Sequence, residues 1–209
     1  MKNIIFFGPP GSGKDTQISE LRKSFNFEFI SGGDIARSLG EKNKKIKETV
    51  SEGGLIKDDL ILEGADAMLK NIPAELGVVF DGFPRTIYQA EKLSEIMYRN
   101  GRTIDSAVYI ALDEDKVVER LSKRKVCSMC SQNLPVGSEV CPKCGGRAIT
   151  RPDDEPATVI KRVQTFLEKT LPLVSYYRDR GILVEVNGDQ KVVDVARDIK
   201  AKLGLTDGV

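Results

Sequence analysis

A glycine-rich stretch near the start of the chain, Gly8-Pro9-Pro10-Gly11-Ser12-Gly13-Lys14-Asp15-Thr16, leaves few choices of fold. The apolar run Ile4-Ile5-Phe6-Phe7 precedes it, and Ile18 and Leu21 follow at helical spacing, with Phe25 four residues further on. This pattern predicts strand, tight turn, helix. Glycines let the backbone bend sharply enough to aim several N–H groups at one point, and the helix N-terminus adds partial positive charge there. The result is a cradle for phosphate, with Lys14 reaching toward the β and γ phosphates of a nucleotide and the Thr16 hydroxyl placed to ligate Mg2+.

The remaining periodicity extends this unit into a layered fold. Phe27 to Ile30 reads as a second strand, followed by short helical patterns from Ile35 to Val50 and a break at Gly53-Gly54. Asp58 or Asp59 is placed to cap a helix through Leu69, with Leu62, Ala65 and Leu69 on one face. Gly77 to Phe80, closed by Asp81-Gly82, is a continuous apolar run of the kind buried on both faces of a parallel sheet. Ala90, Leu93 and Met97 stripe the next helix. Ala107 to Leu112 is a further strand, and its helix carries Val117, Val118 and Leu121. Asp153-Asp154-Glu155-Pro156 opens a long helix running toward Arg180, kinked at Pro172; Ile182 to Val186 and Val192 to Leu203 are the last strand and helix. Strands alternating with helices predict an α/β fold, a doubly wound five-stranded parallel sheet. Right-handed crossovers put the loops at Gly8, Ser31, Asp81 and Asn187 at one sheet edge.

Composition narrows the partners. Basic and acidic residues number 32 and 31 in 209, so no net field draws the chain to nucleic acid or a membrane, and phosphate recognition must be local. No apolar run approaches the ~20 residues of a spanning helix, and the strand at the N-terminus leaves no signal pattern, so a cytoplasmic, monomeric protein is expected. Histidine is absent, which excludes an imidazole base or ligand. All four cysteines fall in one 18-residue window as Cys127-x2-Cys130-x10-Cys141-x2-Cys144. Two such knuckles suit a tetrahedral four-thiolate site, best matched by Zn2+, with iron the other metal this pattern allows and a pair of disulfides the non-metal alternative. Asp81, at the end of a strand neighbouring the glycine loop, is placed to hold Mg2+ through water.

Asp81-Gly82-Phe83-Pro84-Arg85-Thr86 with Gln89, together with the glycine loop and Ser31-Gly-Gly-Asp34-x-x-Arg37, resembles the adenylate kinases from end to end. The resemblance implies reversible phosphoryl transfer, ATP and AMP giving two ADP with Mg2+, on three parts. These are a core (1–30, 61–121 and 163–209), a monophosphate-binding insert (31–60) and a lid (122–162) stapled by structural zinc. It implies an ATP site formed by Gly11, Ser12, Gly13, Lys14, Asp15, Thr16, Arg120, Arg124 and Gln190, with Arg120 stacked on the donor adenine. It implies an AMP site formed by Gly32, Arg37, Gly54, Leu55, Ile56, Gly82, Phe83, Pro84, Arg85, Gln89, Arg151 and Arg162. In that scheme Arg37 and Arg85 clamp the acceptor phosphate and Gln89 reads adenine. Lys14, Asp81, Arg85, Arg124, Arg151 and Arg162 form the catalytic set, the lid arginines closing on the transferring phosphoryl, with Asp153 and Asp154 bracing them.

Three positions depart from the family pattern. Asp15 replaces the usual glycine and is expected to point away from the phosphates at little cost. Gly32 stands where adenylate kinases usually have Thr and pyrimidine nucleotide kinases Ala, which keeps UMP, CMP or GMP open as acceptor, although Thr86 with Gln89 favours AMP. The ten-residue hairpin between knuckles is short and lacks aromatic residues, so no donor-base contact carries over from it. A zinc-ribbon protein that binds nucleotide or nucleic acid without kinase turnover is the alternative of another class, and the near-neutral hairpin disfavours it.

Overall fold

Apolar side chains alternating to opposite sides of one central strand account for both layers of the core. In the computed structural model, which describes residues 2–130, 132–135, 137–151 and 154–206, β1 (Ile4–Phe7) is fully enclosed. Its odd and even residues face different helical layers, as a period of two requires. Ile5 and Phe7 pack with Val78, Phe80, Leu93, Met97 and Tyr177, while Ile4 and Phe6 pack with Ile18, Leu21, Val195 and Ile199.

Four more strands flank it: β2 (Phe27–Ser31), β3 (Gly77–Asp81), β4 (Ser106–Ala111) and β8 (Leu183–Asn187). Their order is β2-β3-β1-β4-β8 and every pairing is parallel. Register aligns Phe6 and Ser31 with Asp81, and the Gly82 N–H donates to Phe6 O at 3.0 Å. The carboxyl ends of β1, β2 and β3 are therefore level, as the crossover rule anticipates. A smaller antiparallel sheet, β5 (Lys125–Cys127), β6 (Asn133–Leu134) and β7 (Ala148–Ile149), stands apart from the main one and carries the cysteines.

Helices α1 (Lys14–Ser24), α2 (Gly32–Lys42), α3 (Lys44–Ser51), α4 (Asp58–Leu69), α5 (Ile87–Arg99), α6 (Glu114–Lys123) and α9 (Val192–Leu203) fall where the periodicity puts them. Three details differ. Neither Asp58 nor Asp59 caps α4: Lys57 is the N-cap without a side-chain bond, because the Asp58 carboxylate is engaged by α5. Val118 is 53% exposed, so Val117 and Leu121 alone form the inward stripe of α6. The long helix after the cysteines is three pieces, α7 (Pro156–Thr165), a π-helical turn (Phe166–Thr170) and α8 (Leu173–Asp179). The break precedes Pro172, whose missing N–H cannot continue the ladder, and the Leu171 N–H reaches back five residues to Phe166 O at 2.8 Å. Asp153 lies outside the described residues, and Asp154 sits just ahead of α7.

The buried Arg102 was not legible as a structural residue. Its guanidinium donates to the carbonyls of Ile72, Pro73 and Leu76 at 2.6 to 3.1 Å, tying the turn before β3 to the turn before β4. Among the described residues no helix is long and apolar enough to cross a membrane.

Candidate active site

The phosphate cradle forms where β1 meets α1. Gly13 takes φ 91° as the N-cap of α1, a left-handed conformation that side chains resist, and no side chain caps the helix. The first-turn amides of α1 thus stay open toward solvent. Gly8 is required by contact: a Cβ there would lie 2.5 Å from Ile110 O. Lys14 folds back over the loop, its Nζ 3.5 Å from Gly8 O.

Burial lowers the Lys14 pKa, opposed by Asp15 and Asp81. Burial, and after it the Asp15 charge, raises Asp81 to about 6. The Arg85 pKa is lowered by loss of water and by the nearby Arg162. Two guanidinium groups crowded in one cleft, beside a lysine that burial disfavours, make a site that gains by taking up an anion.

Two cavities open from this point. The first is lined by every residue expected at the acceptor: Gly32, Arg37, Gly54, Leu55, Ile56, Gly82, Phe83, Pro84, Arg85, Gln89, Arg151 and Arg162. The second is lined by every residue expected at the donor: Gly11, Ser12, Gly13, Lys14, Asp15, Thr16, Arg120, Arg124 and Gln190, with Asp81 on the same wall. Lys14, Arg37, Arg85, Arg151 and Arg162 border both. The cavities meet at a wall of five cations, which is where a phosphoryl group passing between them would be most strongly stabilised.

On the acceptor side, Arg37 pairs with Asp34 at 2.6 Å, both exposed. Such a pair is worth ~0–1 kcal/mol and yields readily to a phosphate. Arg85 is held by its own loop, its Nε donating to Gly82 O at 2.8 Å. Thr170, which no motif signals, is buried beside it and donates to Arg85 O at 2.9 Å. Gly32 packs tightly: an added Cβ would lie 3.0 Å from Phe83 Cβ and 3.2 Å from Gly82 O. A larger residue at that position therefore needs the Gly82–Phe83 loop to move.

On the donor side, Arg120 donates to Gly188 O at 2.9 Å, joining α6 to the loop before α9, and Gln190 donates to Asp198 at 3.0 Å. Arg124 binds Asp154 through Nε and Nη2 at 2.6 and 2.5 Å, and Arg162 binds the same carboxylate at 2.9 Å. Asp154 is thus the brace expected for the lid arginines, holding Arg124 of the segment before β5 to Arg162 of α7.

Asp15 does not turn out of the cleft. It lines the donor cavity and accepts from Asn133 of β6 at 3.3 Å, a contact the sequence did not signal. Its surroundings push the carboxyl up by desolvation, but Lys14, Arg151 and Arg124 outweigh this and its pKa is lowered. Asp15 therefore uses cationic attraction that a triphosphate would otherwise receive. Asp15→Gly is expected to tighten MgATP binding by about tenfold, ~1.4 kcal/mol, in calorimetric titration; an unchanged Kd would show that the arginines reorganise at no net cost.

The four cysteine sulfurs all lie within 4.8 Å of one another. Tetrahedral Zn–S bonds of ~2.3 Å put ligand sulfurs ~3.8 Å apart, and Cys127–Cys144 and Cys130–Cys141 stand at 3.3 and 3.7 Å. The Cys130 and Met129 N–H groups point at Cys127 Sγ at 3.5 and 3.4 Å, hydrogen bonds that favour its thiolate form. The cluster fits zinc.

A parallel sheet with a P-loop, two cavities sharing a cationic wall and a small sheet with four clustered cysteines are the parts of a nucleoside monophosphate kinase. A family model described as adenylate kinase matches residues 6–182. The chain is 38% identical over 207 residues to an adenylate kinase of Kosmotoga olearia, covering 94% of this chain and 96% of that one. It is 35% identical to adenylate kinases of Caldicellulosiruptor bescii (97% and 99% covered) and Archaeoglobus fulgidus (96% and 97%). The chain belongs to the adenylate kinase family.

Proposed function

We propose that this chain transfers the terminal phosphoryl group of ATP to AMP, giving two ADP, and runs the reverse reaction on the same site. The observation that carries this reading is the meeting of two cavities at Lys14, Arg37, Arg85, Arg151 and Arg162. ATP binds with its phosphates on the loop amides and Lys14, its base beside Arg120 and Gln190. AMP binds with its phosphate between Arg37 and Arg85 and its adenine on Gln89. An oxygen of the AMP phosphate forms a bond to the γ phosphorus as the bond to the β–γ bridging oxygen breaks, and ADP departs with that oxygen's negative charge. No protein nucleophile is needed. Positioning and charge stabilisation supply the catalysis, with Arg124, Arg151 and Arg162 closing on the phosphoryl from the lid (122–162) and the insert (31–60) closing on AMP.

Asp81, through water, and the Thr16 hydroxyl would hold Mg2+, which supplies charge neutralisation between the β and γ phosphates when bound. Cys127, Cys130, Cys141 and Cys144 would hold structural zinc in the lid. The chain acts as a monomer on soluble nucleotides in the cytoplasm, without nucleic acid or membrane. Phosphotransfer from MgATP to AMP, UMP, CMP and GMP tests the assignment. AMP is expected to be preferred by at least about 100-fold in kcat/KM, as expected where a site hydrogen-bonds the base. Faster turnover of UMP, CMP or GMP would overturn it.

A further inference from the structure

Gln89 is the residue that meets the acceptor base, yet an amide alone is a poor reader. Its oxygen and nitrogen have nearly the same shape, and a half-turn about the last side-chain bond exchanges donor for acceptor. Specificity therefore depends on whatever prevents that half-turn. In this structure Gln89 is buried and gripped at both ends: Oε1 accepts the Arg85 backbone N–H at 2.7 Å, and Nε2 donates to Asp58 Oδ1 at 2.7 Å. Neither partner can exchange roles, since an amide N–H only donates and a carboxylate only accepts. Thr86 completes the arrangement. Its hydroxyl accepts the Gln89 backbone N–H at 3.1 Å as the N-cap of α5, and lies 3.5 Å from Asp58 Oδ2 as a donor. Asp58 itself stands in the first turn of α4, where the helix N-terminus favours a carboxylate.

We propose that Asp58 is a positioning residue for acceptor-base selection, locking the Gln89 amide so that one N–H and one oxygen lone pair face the acceptor cavity in a fixed order. The inference rests on the AMP reading given above. Asp58 does not line the cavity and acts only through Gln89. The locked order matches the Watson–Crick edge of adenine, whose exocyclic amine donates beside a ring nitrogen that accepts. It opposes hypoxanthine, whose oxygen accepts where adenine donates and whose ring N–H donates where adenine accepts. Hypoxanthine can be accommodated only by the half-turn, which sets Nε2 against the Arg85 N–H and Oε1 against the Asp58 carboxylate.

The experiment compares kcat/KM for AMP and IMP, with MgATP as donor, in the wild type, Asp58→Ala and Asp58→Asn. Asp58→Ala is expected to lower the AMP-to-IMP ratio by about tenfold or more, chiefly through KM for the monophosphate, while KM for ATP stays within about twofold. Asp58→Asn keeps the size of the side chain but can turn either an oxygen or an N–H toward Gln89, so it no longer opposes the half-turn and is expected to lower the ratio several-fold as well. An unchanged ratio in Asp58→Ala, or equal losses for both monophosphates and for ATP, would assign Asp58 a structural role and overturn the proposal, as would an asparagine variant that keeps the wild-type ratio. A wild type that fails to prefer AMP would refute the AMP reading itself, a separate outcome. If Asp58→Ala does not fold, NMR of the wild type decides. One Gln89 side-chain amide proton slow to exchange supports the lock, and two fast-exchanging protons overturn it.

Discussion

Lys14→Ala is expected to reduce kcat by on the order of 10²–10³-fold, with the fold intact. The loss follows from where Lys14 sits: on the border of both cavities, above the loop, beside Asp81. An ammonium there gains its partner as negative charge builds on the β–γ bridging oxygen. Its removal should therefore lower kcat and kcat/KM together, with a smaller change in the ATP dissociation constant. Stability should hardly change, because the hydrogen bond of Lys14 to the loop is a 3.5 Å approach to Gly8 O and burial already disfavours its charge. Steady-state kinetics with a thermal melt on the same preparation checks both parts. Turnover within about tenfold of wild type would contradict the role given to the loop.

Metal removal is expected to have the largest structural effect. The sheet of β5, β6 and β7 is very small, with two strands of two residues each, and its apolar core is Cys127, Leu134 and Cys141 with Ala148 against them. Such a unit buries little apolar surface to offset its own chain entropy, and metal–thiolate bonds at the four cysteines would supply the difference. Chelation under mild denaturing conditions, or Cys127→Ser with Cys144→Ser, should make the 128–150 segment cleavable by protease. The apparent melting temperature should fall by about 10 °C or more, as a loss of several kcal/mol implies for a chain of this size. Some turnover should survive, because no cysteine lines either cavity. Equal protease resistance with and without metal would remove zinc from the lid's stability.

Residues whose chemistry is local were readable from the chain alone. Gly8 to Thr16 needed only its neighbours on either side, and the cysteine spacing announces its ligand set. Every residue expected at the two nucleotide sites lines its cavity, since the parallel topology brings the strand ends together whatever the details of packing. What escaped reading depends on contacts between distant segments. Asp58 looked like a helix cap because caps are the common use of such a residue, and only the approach of α5 to the start of α4 shows its partner. The surroundings of Asp15 were not readable because Asn133, which donates to it, and Arg124 and Arg151, whose charges act on it, are all more than 100 residues away in the chain. Val118 carried the right period for the stripe of α6, yet it faces solvent, where a single apolar side chain is tolerated.

The widened turn at Phe166–Thr170 bears on how α7 is joined to α8. Arg162, Thr165, Phe166 and Thr170 all line the acceptor cavity. Along an uninterrupted α-helix, positions 162 and 170 would be about 80° out of line, at ~100° per residue. The five-residue hydrogen bond from Leu171 to Phe166 accommodates an extra residue in that turn, untwisting the row so that one edge of the connection stays parallel to the cleft. The turn works as a phase corrector between two helices: α8 is anchored by Leu173 and Tyr177 in the core, and α7 carries Arg162 to the wall that both cavities share. Chain length in this connector is consequently under tighter constraint than its side chains.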